Sequence, residues 1–224
     1  MKPTILLAET KTPDGDTLTL HEHDGEFKIS LNGDELMHSF TARSEAEMGT
    51  RIAERYARDS APRFLIGGLG LGFTLRAVVD LLPARGRVDV AELLPEVVVW
   101  NREFLRGLNG DLLEDPRVQV HVGDVADFLT EPGRYDGILL DVDNGPAAMV
   151  AAANSRLYDR PGLDRIRAAL RVGGTTAFWS ARPDGAFEKR LRQTGFQVDA
   201  VPTKAYPSAK RARYVVYYAR PVKS

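Results

Sequence analysis

At 224 residues the chain is long enough for one sizeable core, and 43% hydrophobic residues is an ordinary globular composition. With 30 Lys and Arg against 31 Asp and Glu the net charge is -1, so no overall field directs the chain to nucleic acid or to an acidic membrane surface. The lack of cysteine excludes disulfides, thiolate metal sites and thiol nucleophiles, and the short apolar run near the start, with no stretch of membrane-spanning length, leads to the expectation of a cytoplasmic protein without nucleic-acid or membrane partners.

From 16 to 40, short alternating runs (TLTLHEH, EFKISL, ELMHSF) are separated by Asp24-Gly25 and Asn32-Gly33. Such dipeptides accept the positive φ of tight hairpin turns, so a small antiparallel meander is expected. Ser44 stands three residues before Glu47 at capping-box spacing, and Met48, Ile52, Ala53 and Tyr56 follow at helical intervals up to the break at Ala61-Pro62. Beyond Pro62, strand and helix patterns alternate, which indicates a parallel sheet covered by helices. Strands are expected at 63–67, 87–92, 118–122, 137–141 and 175–180, and helices at 74–82, 95–108, 126–129 and 161–170, the last stopping at Gly173-Gly174. A final pair at 196–202 and 214–219 is expected to close the sheet as an antiparallel edge hairpin. The chain thus divides into a β meander over 1–43 and an α/β unit over 44–224.

The stretch FLIGGLGLG at 64–72 is an apolar run that breaks into glycines alternating with leucines. After the first buried strand of such a sheet, missing Cβ atoms let a ligand approach the backbone and the N–H groups of the next helix. Gly67, Gly68, Gly70 and Gly72 are therefore candidate binding residues. A dinucleotide fingerprint counted from Gly68 and Gly70 needs a third glycine where Phe73 stands. The G-x-G-x-G spacing weakens a nicotinamide-dependent oxidoreductase and resembles the first motif of the class I S-adenosylmethionine-dependent transferases.

The next strand ends in Glu92, where an acid accepts both ribose hydroxyl protons unless it is only an exposed strand end. The third ends in Gly123-Asp124-Val125; Asp124 can accept from an adenine amino group, cap the following helix, or do both. Asp141 falls at the carboxyl end of the fourth strand, where open α/β sheets build their sites, and is the candidate catalytic residue. Asp143, two residues on, is either a site acid or a turn residue.

From about residue 17 onward the chain resembles the spermidine synthase (polyamine aminopropyltransferase) family. That family's Gly-Gly-Gly-Asp-Gly-Gly, its acid after the second strand and its Asp-Pro-Arg-Val-x-Val-x-x-Gly-Asp are similar to GGLGLG at 67–72, Glu92, and DPRVQVHVGD at 115–124. Its Asp-Ser-Ser-Asp-Pro segment is similar to DVDNGP from Asp141, and its late Tyr-Pro-Ser to Tyr206-Pro207-Ser208. The resemblance implies an α/β fold: a Rossmann-like class I methyltransferase sheet, mostly parallel with an antiparallel C-terminal edge, behind a small N-terminal antiparallel β meander. It also implies a transferase whose co-substrate is S-adenosylmethionine or decarboxylated S-adenosylmethionine, with a small amine as acceptor, and a homodimer.

The amine side departs from the pattern. The family's aspartate inside the glycine turn is Gly70 here. Its L-D-G-x-x-Q and D-E-F-S-Y-H-E-M, laid on 31–48, place Leu36 at the glutamine, Thr41-Ala42 at the acidic pair, Glu45 at the tyrosine and Ala46 at the histidine, with matches at Ser44, Glu47 and Met48. A carboxylate beside the donor tail attracts the ammonium of the decarboxylated nucleoside and repels the α-carboxylate of the intact one by several kcal/mol. Gly70 therefore predicts a pocket that accepts intact S-adenosylmethionine at least as well as the decarboxylated form.

Methyl or aminopropyl transfer needs in-line positioning and a neutral nucleophile, and Asp141 is the candidate to take the proton. Glu45, Glu47, Asp143 and Tyr206 are candidates for the acceptor side, each with an alternative as helix cap, turn residue or packed aromatic. A nucleoside-binding protein of the same fold without transferase activity is the competing reading. His21, His23, His38 and His121 offer no third ligand, so no metal site is expected. Lys210-Arg211-Arg213 reads as a solvated hairpin, and Phe40, Trp100, Phe104, Phe178 and Trp179 as core or interface packing.

Overall fold

The computed structural model describes residues 3–12, 14–141, 156–206 and 208–222. Four antiparallel strands in sequential order form the first sheet: β1 (Ile5–Lys11), β2 (Thr17–His23), β3 (Glu26–Leu31) and β4 (Asp34–His38). The hairpin turns take the expected form, with φ of 53° and 83° at Asp24 and Gly25 and of 50° and 89° at Asn32 and Gly33. Leu18 opposes Leu31 and Leu20 opposes Ile29, which gives the sheet one apolar face; this face is buried against the rest of the chain. β1 was not expected. It is an edge strand with a bulge between Leu6 and Ala8, and Ile5 and Leu6 point to solvent, so its pattern lacks the alternation that reveals a half-buried strand.

α1 (Arg43–Glu54) follows a short 3-10 turn. Ser44 does not cap it: the helix begins at Arg43 behind Ala42, and Ser44 lies inside with its hydroxyl accepting from Trp179 Nε1 at 2.8 Å. A buried indole N–H needs a partner, and Ser44 supplies it where the capping-box spacing pointed elsewhere. Gly49 lets α1 pass very close to α2 (Phe73–Leu81): a Cβ there would lie 2.7 Å from Thr74 O and 2.8 Å from Ala77 Cβ.

The second sheet has seven strands. β5 (Arg63–Gly67), β6 (Arg87–Glu92), β7 (Val118–Val122), β8 (Tyr135–Leu140), β9 (Leu170–Ser180), β10 (Phe196–Thr203) and β11 (Tyr214–Pro221) stand in the order β10-β11-β9-β8-β5-β6-β7. Strands β5 to β9 pair in parallel with one another, and β11 runs antiparallel to both β9 and β10, as the patterning predicted. The order reverses between β5 and β8, so the crevice at their carboxyl ends is the topological switch point where such sheets bind ligands.

Four features differ from expectation. α5 (Arg160–Ala169), capped by Asp159, runs straight into β9 at Leu170, and Gly173-Gly174 lie within the strand instead of stopping a helix. The helix expected at 95–108 is α3 (Pro95–Glu103) followed by a break and one turn, α4 (Arg106–Asn109). α6 (Gly185–Gln193) was not expected; Asp184 caps it by accepting from the N–H groups of Ala186 and Phe187. The 126–129 helix is a 3-10 turn at Val125–Phe128. A continuous apolar cluster joins Leu18, Leu20 and Ile29 of the meander to Met48 and Ile52 of α1 and to Leu69 and Leu71 of the glycine turn. Burying these side chains holds the meander over the carboxyl ends of the strands.

Candidate active site

The glycine turn leaves β5 with φ of +88° at Gly68, +50° at Gly70 and +86° at Gly72, backbone that side-chain-bearing residues adopt only with strain. The four glycines serve different ends. A Cβ on Gly67 would lie 2.8 Å from Leu140 Cδ2, and one on Gly72 would lie 2.7 Å from Asn109 Nδ2, so these two face protein. Gly68 and Gly70 line the cleft between the turn and the meander.

Two buried asparagines brace the turn from behind. Asn101 donates to Gly70 O and to Val97 O at 2.8 and 2.9 Å, and Asn109 donates to Leu71 O at 2.8 Å. Sequence reasoning missed both; their only signal is a polar residue on the apolar side of each short helix.

The cleft encloses about 660 Å³ when the open solvent at its mouth is included. Its meander wall is apolar, formed by Leu18, Ile29, Leu36 and Met37; its sheet wall carries Glu92, Asp124, Val125 and Asp141. The nucleoside-side candidates are thus brought together. Glu92 is buried, not an exposed strand end, and accepts from the N–H of Leu69 at 2.8 Å and of Leu94 at 2.9 Å. Burial pushes its pKa up, opposed by those backbone donors. Asp124 caps the turn after β7 by accepting from Ala126 N at 2.8 Å, and its other oxygen pairs with Arg156, a cation the sequence did not flag.

Asp141 sits just past β8, tied to the turn through its N–H to Gly67 O at 2.9 Å. It lines both the cleft and a small adjoining side pocket bounded by Glu45, Met37, Leu69, Gly70, Leu71, Gly72 and Phe73. Thr74 Oγ1 donates to Asp141 Oδ2 at 2.8 Å, and Ser44 Oγ donates to Glu45 Oε2 at 2.5 Å. Both carboxyls are pushed up. For Glu45, to about 8, burial is the larger cause and the charge of Asp141 the second; for Asp141, to about 6, the cause is burial.

The remaining acceptor-side candidates divide. Glu47 points away and pairs with Arg43 on the outer face of α1 at 2.5 Å, because at this helical offset from Glu45 it cannot share the inward face. Tyr206 packs on Phe40 with ring centroids 5.2 Å apart, outside the lining of both pockets. Phe40 itself is exposed, whereas Trp100, Phe178 and Trp179 are buried as expected. Asp143 lies outside the described residues. His121 bonds to Asp89 at 3.1 Å, and among the described residues no group of three or more His, Asp or Glu side chains is placed to hold a metal ion.

The spermine/spermidine synthase domain matches residues 58–184, more than half of the sequence. The chain belongs to this family. Among similar proteins, a spermidine synthase of Coffea arabica is 33% identical over 119 residues, 51% of this chain and 35% of that protein. A polyamine aminopropyltransferase of Synechococcus is 33% identical over 138 residues, 59% of this chain and 38% of that protein. The chain matches little more than a third of the length of these relatives.

In fold the likeness reaches further. A spermidine synthase solved in complex with the transition-state analogue AdoDATO superposes with a TM-score of 0.71 at 18% identity, covering 96% of this chain and 71% of that one. A spermidine synthase from Thermotoga maritima gives 0.71 at 16% identity, covering 97% and 73%. Human methyltransferase-like protein 13 in complex with SAH gives 0.56 at 17%, covering 80% of each chain. The α/β class, with a mostly parallel seven-strand sheet and a four-strand antiparallel sheet before it, is that of spermidine synthases and methyltransferases.

Proposed function

We propose that the protein transfers an aminopropyl group from decarboxylated S-adenosylmethionine to a small primary amine. The observation that carries this reading is Asp141, which lines both the cleft and the side pocket and so stands where a donor in one meets an acceptor in the other. The family, and the names of the relatives as spermidine synthase and polyamine aminopropyltransferase, support it.

In this reading Glu92 accepts the ribose hydroxyls, Asp124 accepts from the adenine amino group, and Gly68 and Gly70 let the donor lie against the turn. The apolar meander wall excludes water from the sulfonium. The amine nitrogen attacks the propyl carbon bonded to sulfur; the C–N bond forms, the C–S bond breaks, and its electron pair leaves with sulfur as a neutral thioether. Asp141 takes the proton the nitrogen loses. A carboxyl raised to about 6 is a stronger base than an ordinary aspartate, which suits this role.

A second reading, methyl transfer from intact S-adenosylmethionine, is favoured by one observation. The space where the family pattern puts a carboxylate is empty of charge: a Cβ on Gly70 would meet Met37 Sδ at 2.8 Å. Incubation with each donor and a panel of amines, with products identified by mass spectrometry, separates the readings. Aminopropylated amine from the decarboxylated donor is expected. Methylated amine from the intact donor replaces the first reading by the second, and nucleoside binding without product from either leaves a binding protein.

A further inference from the structure

The side pocket contains a carboxylate that the reaction above does not use. Glu45 stands where the family's pattern has a tyrosine, and it lines the same small pocket as Asp141. Both acids are held from behind by hydroxyls. Trp179 Nε1 donates to the fully buried Ser44 hydroxyl at 2.8 Å, and Ser44 in turn donates to Glu45 at 2.5 Å. On the other side Thr74 donates to Asp141 at 2.8 Å, and the same hydroxyl reaches the backbone carbonyl of Glu45 at 3.4 Å. The two carboxylates therefore line one pocket, Glu45 from α1 and Asp141 from just past the end of β8, and each feels the other's charge. Glu45 also lies in the first turn of α1, where the helix N-terminus favours negative charge.

Every hydroxyl committed here donates, and donors stabilise the ionised form. Burial and mutual repulsion oppose it. Among the described residues, the groups facing the pair from neighbouring elements supply no counter-charge within hydrogen-bond reach. Ser44 and Thr74 are neutral, and Tyr214 at the start of β11 has a hydroxyl that burial, with Glu45 and Glu35, keeps protonated against the pull of Arg213. A site with donors to both carboxylates and no resident cation is complete only when a cation enters. The rest of the pocket, Met37, Leu69, Leu71 and Phe73, suits an alkyl chain.

We propose that Glu45 is a specificity-determining residue of the acceptor site: Glu45 and Asp141 share one proton in the empty pocket, and an alkylammonium displaces it and sits between them. This rests on the acceptor site assigned above. Asp141 receives the proton during transfer, and Glu45 remains ionised as the counter-ion that selects a protonated primary amine over a neutral nucleophile. A carboxylate pair that keeps its last proton until a cation arrives is a known consequence of like charges in a buried site.

The test is isothermal titration of n-butylamine and 1,4-diaminobutane into the protein saturated with 5′-methylthioadenosine, at pH 7, in two buffers of different ionisation enthalpy. The wild type is expected to release close to one proton per amine bound. Glu45→Gln is expected to release none and to bind amine at least tenfold more weakly, with unchanged affinity for the nucleoside. Carboxyl-region carbon NMR of the amine-free protein should show, besides the raised Asp141 and Glu92, a further acid titrating near 8 that is lost in Glu45→Gln. No amine binding by the wild type, equal proton release in both proteins, or an equal loss of nucleoside affinity in the variant overturns the proposal. The readout is separate from turnover: amine binding with proton release but no aminopropyl product rejects the reaction and keeps the site. Turnover with unchanged KM for amine in Glu45→Gln does the reverse.

Discussion

Gly70→Asp restores the carboxylate that the family pattern has inside the glycine turn, and its effects can be worked from the structure. Two costs arise. The backbone at Gly70 has φ of +50°, which a residue with a Cβ adopts at about 1–2 kcal/mol, and aspartate is among the residues that tolerate it best. The new Cβ would also lie 2.8 Å from Met37 Sδ, but that atom is near the free end of a flexible side chain bordering the cleft and can turn aside. The variant should therefore fold, with Tm lowered by a few degrees.

The gain is electrostatic. At ~5 Å and an effective dielectric of ~20, the new carboxylate repels the α-carboxylate of intact S-adenosylmethionine by about 3 kcal/mol, while both donors keep their ammonium. The ratio of affinities, decarboxylated over intact, should rise about a hundredfold relative to the wild type, read by titration calorimetry with each donor. Gly70→Asn carries the same strain and volume without charge and should leave the ratio unchanged. A folded Gly70→Asp with the wild-type ratio, or an equal shift in Gly70→Asn, refutes the placement of the donor tail at Gly70.

Glu45, Asp141 and Glu92 all have pKa values held above the ordinary carboxylate range, chiefly by burial, so the folded chain binds more protons than the unfolded one above that range. Stability of the ligand-free protein should accordingly fall as pH rises from the carboxylate range towards about 8, where Glu45 has ionised. Thermal melts should give a lower Tm at pH 8 than at pH 6, with the difference reduced in Glu45→Gln; a Tm that rises with pH contradicts the assignment. Asn101→Ala removes the amide that holds Gly70 O and Val97 O, and should cost about 1–3 kcal/mol in urea melts together with nucleoside affinity. Retained affinity would show that the turn needs no brace. Gly49→Val forces α1 away from α2 at a contact where even a Cβ is 2.7 Å from backbone, an overpacking cost of about 1–3 kcal/mol. Because that contact seats Glu45 beside Asp141, KM for the amine should rise while nucleoside affinity holds; parallel losses of both would make the effect one of general unfolding.

The half of the cleft proposed for the nucleoside was legible because each of its parts is local. Gly68, Gly70, Glu92 and Asp124 all stand at or within three residues of a strand end, and the parallel register that aligns Gly67 with Ala91 and Leu140 brings those ends to one edge. Strand ends are marked by hydrophobic runs that stop, and a parallel sheet converts sequence order into spatial neighbourhood. The acceptor half was legible only in outline. Glu45 and Glu47 look equivalent along the chain, and only the rotation of α1 sends one into the pocket and the other to Arg43.

Alternating hydrophobicity, turn dipeptides and strand-end acids by themselves determined three strands of the meander, the seven strands of the second sheet and the strand-end residues of the cleft, since all of these depend on contacts between a residue and its near neighbours in sequence. The tertiary structure alone decided the use of Ser44, which serves Trp179 and Glu45 from inside α1 rather than capping it. It also decided that Asn101 and Asn109 brace the turn, and that Gly49 draws α1 onto α2 until Glu45 meets Asp141. Apart from the adjacent Ser44 and Glu45, these contacts join residues from 25 to 135 positions apart, and no local pattern specifies them; they form because a buried N–H, a buried carboxylate and a missing Cβ each require a partner that only packing supplies.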